Sequence, residues 1–454
     1  MEQQVNLEKQ FKNDRLRIVF LGGVGVVTKN MFVYEYWKDG KLTDSVIIDC
    51  GVGFSEDGEE LIVPDVQYLL DKQSYIRGVV LTHGHEDHTS ALHHLLAHVQ
   101  VPIYGSRLTV ALAKARFAEY NLPAQFHTMK INSILQLGHF SISFVHVTHS
   151  IPDATNIIVK TPVGTFYHAS DFKFDWSPVD GWQTEVGKIA SVGKQGVLCL
   201  LSDCVRSERK GYTLSEETIQ ESLEIEVRKA RGNVFFTTQS SNISRIQQAV
   251  NIASLFKRKI VLLGRSMRTN AEVAQKLGYL HFPKKSVIES RAAKKYPPQQ
   301  LFFIVAGSQG QEDSALSRLA DENNKDISIR PHDTIIFSAD PIPGYEQQVH
   351  QLINKLTILG AEVVYSDIND ELHVSGHGAQ NDLMLMMGLT CPQYIIPIGG
   401  EPRHVRQYGV LAQKMGYQED QILAPLEKDA VEFTASGQVT LLKGVAELLP
   451  VTKH

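Results

Sequence analysis

The sequence predicts an α/β protein, and three features support this class. An apolar run at residues 76–81 has the character of a buried strand and precedes a short predicted helix at residues 89–98. Short predicted strands alternate with glycine-rich turns over residues 17–49. Strands and helices then alternate between residues 233 and 320, which predicts a parallel sheet with crossover helices. The 454 residues and the hydrophobic content of 43% are sufficient for two or three domains.

The individual elements follow from local patterns. The helix at residues 89–98 carries its leucines on one face, and a second amphipathic helix is predicted at residues 108–121. A capping box from Thr213 to Glu216 predicts the start of a charged helix that ends near residue 231. Further strands are predicted at residues 17–20, 31–36, 45–49, 140–149, 164–171, 233–238, 259–263, 301–306 and 394–397. Further helices are predicted at residues 244–256, 269–277, 314–320 and 402–415.

The bulk composition limits the location of the protein more than its activity. The net charge of -5 differs from the basic balance of a typical nucleic-acid-binding domain, although a local basic track can coexist with it. The four cysteines form no CxxC pair, which favours a reduced compartment. No apolar run reaches the roughly 18 residues of a membrane span, and the polar N-terminus does not resemble a signal peptide. We therefore expect a cytoplasmic protein without membrane association.

A loop rich in histidine follows the strand at residues 76–81. His83, His85, Asp87 and His88 have the spacing H-x-H-x-D-H. Imidazole and carboxylate groups suit zinc or a similar divalent ion, and four such groups can contribute to two ion sites. A solvated polar loop is the alternative, but four ligand-type residues within six positions favour metal binding.

Two more candidate ligands close predicted strands further along the chain. His149 ends the strand at residues 140–149, and Asp171 ends the strand at residues 164–171. Each residue alone would more often be structural. Together with the histidine-rich loop they predict a pair of metal sites, with Asp171 as a carboxylate that bridges both ions.

These motifs resemble the metallo-β-lactamase fold. The chain resembles, over nearly its whole length, the β-CASP nuclease branch of that fold and within it the ribonuclease J family. The matching segments are LGGVG at 21–25, KNM at 29–31, IDCG at 48–51, HSIPD at 149–153, DFKFD at 171–175, SD at 202–203, SNISR at 241–245, GRSM at 264–267, GSQG at 307–310, SALSR at 314–318, PIPG at 341–344 and HVSGHG at 373–378.

The resemblance implies an αββα sandwich with an inserted β-CASP domain. The metallo-β-lactamase domain would comprise residues 1–212 and 373–454, and the insert would comprise residues 213–372. It also implies two divalent ions, with zinc as the first expectation and manganese or magnesium as alternatives.

The resemblance also assigns roles to individual residues. His377 would be the general acid, held or polarised by Asp203. Asp87 would ligate an ion and orient the nucleophile, and Asp49 would orient the ligand loop. In the same HVSGHG segment, His373 and Ser375 would contact phosphate.

Three turns of the predicted insert carry candidate phosphate-binding residues. Each follows a strand and precedes a helix, where backbone N–H groups and the helix dipole favour an anion. A helix cap or a solvated charge explains any one of them as well. Three such turns at strand ends suggest one crevice, as in open α/β sheets. The residues concerned are Ser241, Asn242, Arg245, Arg265, Ser308 and Gln309.

The sequence departs from the family at two points. Where ribonuclease J usually has a metal-ligating histidine in a P-V-H-G-E segment, this chain has Gly399, which offers no ligand. His404 follows in the next helix, but its spacing does not show that it takes over. The sequence ends at His454, where the family usually continues into a C-terminal assembly domain. We therefore expect a second ion that binds weakly or uses water in place of the histidine, and an assembly that differs from the family's or is monomeric.

The resulting functional hypothesis is a metal-dependent ribonuclease that removes nucleotides from 5′ to 3′, with internal cleavage also known for the family. Its partners would be RNA, further copies of the chain or other proteins of RNA decay. Two alternatives stay open. One is a DNA nuclease, because DNA-cutting members of the wider family also lack the histidine at the position of Gly399. The other is a weakly active paralogue that binds RNA and supports another nuclease.

Overall fold

Two large β-sheets face each other in the computed structural model, which describes residues 13–55, 60–342 and 344–447. The first sheet has the strand order β21-β20-β1-β2-β3-β6-β7-β8, and the second has the order β19-β13-β12-β11-β10-β9. Their strands are β1 Arg15–Phe20, β2 Phe32–Lys38, β3 Lys41–Ile48, β6 Ile76–Val80, β7 Ile103–Gly105, β8 Phe126–Thr128, β9 Ile134–Leu137, β10 Phe140–His146, β11 Thr155–Thr161, β12 Gly164–His168, β13 Cys199–Asp203, β19 Tyr394–Ile398, β20 Ala430–Thr434 and β21 Val439–Leu442. A small separate hairpin consists of β4 Gly53–Phe54 and β5 Leu61–Ile62.

Alternating apolar residues join the two sheets. In β10, Phe140, Ile142 and Phe144 are buried and belong to one core cluster with Ile18 of β1 and Phe166 of β12. The side-chain period of two therefore places the apolar face of each strand between the sheets.

Helices cover the outer face of each sheet. The described helices here are α1 Glu86–Thr89, α2 Leu92–Leu96, α3 Arg107–Phe117, α4 Val186–Gln195, α10 Gln380–Thr390 and α11 Pro402–Lys414. Leucines of α2 pack with Val19 and Val79 of the first sheet, as their predicted common face requires. Met386 of α10 and Leu411 of α11 pack with Leu200 of the second sheet. The arrangement is an αββα sandwich.

The chain between the two parts of the sandwich forms a third sheet, which is parallel. Its order is β15-β16-β14-β17-β18. The strands are β14 Val234–Thr237, β15 Lys259–Leu263, β16 Leu301–Val305, β17 Thr334–Phe337 and β18 Glu362–Val364. The helices are α5 Ile219–Lys229, α6 Ile243–Leu255, α7 Arg265–Leu277, α8 Ala315–Ala320 and α9 Glu346–Ile358. The predicted parallel α/β unit is confirmed.

The core of this insert continues into the sandwich. Ile246 of α6 and Phe236 of β14 belong to the same buried cluster as Leu200 and Met386 of the sandwich. On the other face of the third sheet, Phe303 packs with residues of α8 and α9. The two parts therefore share one apolar core at their junction, and the predicted boundaries after residues 212 and 372 stay predictions.

Some predicted elements differ in detail. The helix predicted at residues 89–98 is shorter, since α2 covers Leu92–Leu96 and is separate from α1 at Glu86–Thr89. Between them, the backbone N–H of Ala91 donates to the carbonyl of Cys50 at 3.0 Å. Ser215, rather than Thr213, provides the cap, since its hydroxyl accepts from the backbone N–H of Glu217 at 3.2 Å. Within the described ranges, no helix combines the length and apolar character needed to cross a bilayer. The polar N-terminal residues 1–12 and Pro343 of the PIPG segment lie outside the described residues.

Candidate metal centre and active site

Four chain segments from both large sheets meet at one edge of the sandwich. The loop after β6 supplies two histidines, and the first turn of α1 supplies an aspartate and a histidine. The loops after β10 and β12 supply one residue each. These strands end earlier than predicted, at His146 and His168, so their two ligands lie in loops. The six side chains brought together are those predicted as ligands: His83, His85, Asp87, His88, His149 and Asp171.

His83, His85, His149 and Asp171 form the first cluster, here termed the three-histidine half-site. Nδ1 of His85 lies 3.1 Å from Nε2 of His83 and 3.1 Å from Nε2 of His149. Oδ2 of Asp171 lies 3.7 Å from Nε2 of His83 and 3.6 Å from Nε2 of His149. Burial and the neighbouring imidazoles lower the pKa of all three histidines, to about 3 for His85 and His149. These rings are therefore neutral at pH 7, as metal ligands must be.

Asp87, His88 and Asp171 form the second cluster, here termed the acidic half-site. Nε2 of His88 lies 3.4 Å from Oδ2 of Asp87 and 3.5 Å from Oδ2 of Asp171. Burial alone would lower the pKa of His88, but the charges of Asp87, Asp171 and Asp49 raise it well above its usual range. Asp171 belongs to both half-sites, which is the position expected of a bridging carboxylate.

Hydrogen bonds behind the ligands determine which ring nitrogen faces each cluster. The carbonyl of Gly376 accepts from Nδ1 of His149 at 2.8 Å, and Oδ2 of Asp49 accepts from Nδ1 of His88 at 2.7 Å. Asp49 also accepts from the backbone N–H and the hydroxyl of Thr82, at 2.8 and 2.7 Å. These contacts leave Nε2 of His149 and His88 directed at the clusters. The resulting set of imidazole nitrogens and carboxylates fits a divalent ion such as zinc.

His377 and Asp203 lie beside the clusters and contact each other, as predicted. Nδ1 of His377 donates to Oδ2 of Asp203 at 2.7 Å and lies 3.9 Å from Oδ2 of Asp171. The hydroxyl of Ser375 accepts from the backbone N–H of His377 at 3.2 Å. Burial lowers the pKa of His377, but the charges of Asp203 and Asp171 outweigh burial and raise it to about 9. The imidazole is therefore protonated at neutral pH.

The three predicted anion-binding turns follow neighbouring strands of the third sheet, β14, β15 and β16. Ser241 and Asn242, after β14, are both buried. The side-chain oxygen of Asn242 accepts from the backbone N–H of Arg245 at 3.0 Å and caps α6. The alternative role of a helix cap is thus present at Asn242, and phosphate binding at Ser241 and Asn242 stays a prediction.

The other two turns differ from each other in exposure. Ser308 and Gln309, after β16, are buried, whereas Arg265, at the start of α7, is exposed. The amide of Gln309 donates to the carbonyl of Asp340 at 3.1 Å and accepts from the backbone N–H of Ile342 at 2.7 Å. Gln309 therefore holds the segment that follows β17 close to this turn.

The structure does not support the predicted direct contact of Arg245 with phosphate. Its guanidinium is fully buried and pairs with Glu216 through hydrogen bonds of 2.6 and 3.1 Å. It also donates to Oγ of Ser338 at 2.8 Å and to the carbonyl of Val374 at 3.2 Å. These partners satisfy the cation, so no donor is left for a phosphate. Through Val374 and a 3.5 Å contact with Nδ1 of His373, Arg245 instead holds the HVSGHG segment against the insert.

Gly399 lies next to Asp203, the partner of His377. A Cβ at this position would have Oδ1 of Asp203 as its nearest neighbour, at 3.8 Å, so it would meet no clash. His404 does not fill it. Nδ1 of His404 accepts from the backbone N–H of Glu401 at 3.2 Å, and its Nε2 lies 3.6 Å from Oε2 of Glu208. His404 therefore caps its own helix.

Asn30 borders the acidic half-site, and sequence reasoning gave it no role. Its side-chain nitrogen lies 3.1 Å from Nε2 of His88 and 3.4 Å from Oδ2 of Asp87. Its position in the KNM segment is the only signal that could have drawn attention to it. Local spacing could not, because 57 residues separate Asn30 from Asp87.

Three protein-family profiles match consecutive parts of the chain. They are described as a beta-lactamase superfamily domain at residues 44–187, a ribonuclease J beta-CASP domain at residues 231–356 and a Zn-dependent metallo-hydrolase RNA specificity domain at residues 361–425. The predicted metallo-β-lactamase fold with a β-CASP insertion is confirmed.

Curated proteins named ribonuclease J align with most of the chain. Ribonuclease J of Helicobacter pylori (strain ATCC 700392 / 26695) is 37% identical over 423 residues, which cover 92% of this chain and 60% of that protein. Ribonuclease J of Thermus thermophilus is 39% identical over 414 residues, with coverages of 88% and 71%. Ribonuclease J2 of Bacillus subtilis is 34% identical over 430 residues, with coverages of 94% and 76%. The chain thus spans 60% of the length of the Helicobacter relative.

A solved structure shares the fold at low sequence identity. The protein of unknown function from Enterococcus faecalis V583 superposes with a TM-score of 0.62 at 16% identity. The match covers 94% of this chain and 100% of that one. At this identity the likeness concerns the fold alone.

Proposed function

The chain belongs to the ribonuclease J family, and we propose on that basis that it is a metal-dependent ribonuclease. The observation that carries the proposal is the joining of two metal half-sites through Asp171, with the His377–Asp203 pair beside them. Metal ligands and a proton donor at one site are what hydrolysis of a phosphodiester requires.

Two divalent ions, with zinc as the first candidate, would be held by the two half-sites. His83, His85 and His149 would hold one ion, Asp87 and His88 the other, and Asp171 both. When bound, such ions activate water at neutral pH and stabilise negative charge on phosphate. Manganese and magnesium are the alternatives, because the acidic half-site is rich in oxygen ligands.

The protein's own residues supply proton transfer and orientation. Asp203 accepts a hydrogen bond from Nδ1–H of His377, and the other proton of the protonated ring is on Nε2. His377 donates that proton to the leaving oxygen as the phosphodiester breaks. Asp87 orients the attacking water through its carboxylate, whose Oδ2 lies 3.4 Å from Nε2 of His88.

The insert would recognise a 5′-terminal phosphate. The turns after β14, β15 and β16 would provide hydrogen-bond donors to this phosphate. His373 and Ser375 would contact phosphate nearer to the metal centre. Burial and the charge of Arg245 lower the pKa of His373 to about 4, so its ring is neutral and can either donate or accept. Recognition of a 5′ end suits stepwise cleavage from 5′ to 3′ in the processing and decay of RNA in the cytoplasm. Assembly with further copies or with other RNA-decay proteins belongs to the same proposal.

A comparison of RNA with DNA tests the proposal. Purified protein is incubated with 5′-monophosphorylated RNA and with the matching DNA, with zinc or manganese added, beside the His85→Ala variant. Metal-dependent loss of RNA that is absent from the variant supports the ribonuclease. Loss of DNA alone would replace it with a DNA nuclease, which Gly399 keeps as the second candidate. Binding of RNA without cleavage would instead indicate a non-catalytic partner of another nuclease.

A further inference from the structure

Arg206 lies in the turn that follows Asp203, and the chain holds this turn firmly. The backbone N–H of Val205 donates to Oδ1 of Asp203 at 2.8 Å, and the backbone N–H of Ser207 donates to the carbonyl of Cys204 at 3.0 Å. The hydroxyl of Ser207 donates to the carbonyl of His404 at 2.8 Å. The backbone of Arg206 is therefore fixed relative to the His377–Asp203 pair.

The guanidinium of Arg206 has no protein partner in the part of the chain that the structure describes. Its Nε is buried and without a hydrogen bond, and no carboxylate lies within ion-pair distance. Two other buried arginines of this molecule are satisfied. Arg245 pairs with Glu216, and Arg258 donates to the carbonyls of Gly232 and Leu301 at 2.9 and 3.1 Å. A partly buried cation left unpaired is costly unless a ligand completes its hydrogen bonds.

The charge of Arg206 interacts with ionisable groups of the active site. Burial and the charge of Arg209 lower the pKa of Arg206, and the carboxylates of Asp340 and Asp203 act in the opposite direction. Arg206 in turn contributes to the lowered pKa of His373. The cation thus interacts with Asp203, with Asp340 of the insert and with His373 of the HVSGHG segment.

Two more cations follow in the same turn. Arg209 and Lys210 are exposed, and neither has an ion pair among the described residues. The acidic residue of this turn, Glu208, faces His404 at 3.6 Å and Arg403 at 3.8 Å. The turn after Asp203 therefore carries three cations without an ion pair among the described residues, although the chain as a whole carries a charge of -5.

We propose that Arg206 binds one of the backbone phosphates that flank the scissile linkage of the nucleic acid. The inference rests on the proposed ribonuclease function and assigns a substrate-positioning contact within it. A guanidinium presents paired N–H donors that match two phosphate oxygens, and the phosphate supplies the acceptors that the protein withholds from Arg206. Arg209 and Lys210 extend the contact along the strand that leaves the site.

Binding can be measured without cleavage. Wild type, Arg206→Met, Arg206→Lys and the control Arg403→Met are treated with a chelator and titrated with fluorescein-labelled single-stranded RNA. Arg403 is a fair control because it lies near the same turn but is paired with Glu401 at 3.2 Å. Arg206→Met should weaken binding about tenfold and reduce the salt dependence by about 0.7 in slope. Arg206→Lys should recover part of the affinity, and Arg403→Met should bind like wild type.

RNAs with one neutral methylphosphonate linkage locate the contact. In wild type, a neutral linkage at one flanking position should weaken binding. In Arg206→Met, the same RNA should bind no worse than unmodified RNA, since the contact is already absent. The melting temperature of Arg206→Met should equal or exceed that of wild type, because the substitution removes a buried N–H without a partner.

The outcomes separate this inference from the proposed function. If wild type cleaves RNA with metal, but Arg206→Met binds RNA with unchanged affinity and salt slope, the role of Arg206 is overturned and the ribonuclease stands. A marked fall in the melting temperature of both Arg206 variants would overturn it equally, as it would show a structural role. If wild type neither binds nor cleaves RNA, both proposals are overturned.

Discussion

The two half-sites share Asp171 but differ in charge and completeness. The three-histidine half-site contains neutral imidazoles whose pKa values are lowered by burial, to about 3 for His85 and His149. In the acidic half-site, neighbouring carboxylates raise the pKa of His88 well above its usual range. A cation can therefore enter the first half-site without displacing a proton, but it must displace one from His88 in the second. Adjacent histidines of one motif can therefore offer unequal metal sites.

The surroundings of the acidic half-site increase this inequality. Gly399 offers no ligand where the family usually has a histidine, and Asn30 directs its amide nitrogen towards His88 and Asp87 in the present orientation. An amide nitrogen does not bind a cation, so this orientation adds no ligand. We expect the second ion to be bound more weakly than the first.

Replacing the shared carboxylate should have the largest effect. Asp171→Ala removes a ligand from both half-sites and should lower both zinc affinities by at least about a hundredfold, with loss of RNA cleavage. Zinc competition against a chromogenic chelator measures the affinities. Asp326→Ala, which removes a half-buried carboxylate of the insert that pairs with Lys294, is the control and should bind zinc like wild type. Loss of one site only would show that Asp171 does not serve both.

Removing the partner of His377 should separate proton transfer from metal binding. Asp203→Asn should lower kcat by about a hundredfold or more while both zinc affinities change little. Without the Asp203 charge, the pKa of His377 should fall below its present value of about 9, so its proton is lost at lower pH. Activity should therefore decline more steeply between pH 7 and pH 9 in the variant, as pH–rate profiles would show. Equal pH–rate profiles of wild type and Asp203→Asn would contradict the role of Asp203 in keeping His377 protonated.

The pH dependence of metal binding tests the charge difference between the half-sites. His88 binds a proton below its raised pKa, so cation affinity at the acidic half-site should increase as pH rises, by up to about tenfold per unit. The three-histidine half-site should show little change between pH 6 and pH 8, because its imidazoles are already neutral. Asp87→Ala and His85→Ala each weaken one half-site and allow the other to be titrated. If the cation affinities of both half-sites changed equally with pH, the proposed charge difference between them would be wrong.

A ligand supplied at position 399 should reduce the difference in zinc affinity between the two half-sites. Gly399→His should strengthen the second zinc site about tenfold, since it would supply an imidazole beside Asp203, where a Cβ meets no clash. The φ angle of 64° at Gly399 lies in the left-handed region, so the variant should lose about 1 kcal/mol of stability. Calorimetric zinc titration and thermal unfolding measure the two effects, with Gly399→Ala as the control for the backbone cost. An unchanged second affinity would place position 399 outside the metal site.

Local patterns in the sequence predicted much of the site, and long-range contacts determined the rest. His83, His85, Asp87 and His88 could be predicted because their spacing places them in one loop. Predicted strand ends drew attention to His149 and Asp171, although both lie in loops beyond those ends.

Residues whose roles depend on distant partners could not be assigned in this way. Arg245 appeared to be a phosphate ligand because it follows a strand, but its ion pair with Glu216 spans 29 residues. Asn30 approaches Asp87 only through the fold, and the unpaired state of Arg206 depends on neighbours from several segments. The alternation of strands and helices was sufficient to predict the parallel sheet of the insert, because that pattern is local.

The most direct test is to follow cleavage of 5′-monophosphorylated RNA while zinc is added to metal-free protein in measured equivalents. If two unequal half-sites act together, the first equivalent should bind tightly with little cleavage, and the rate should rise as the second equivalent binds. Full activity after one equivalent, or no cleavage with both half-sites filled, would contradict a ribonuclease that works through the two half-sites joined by Asp171.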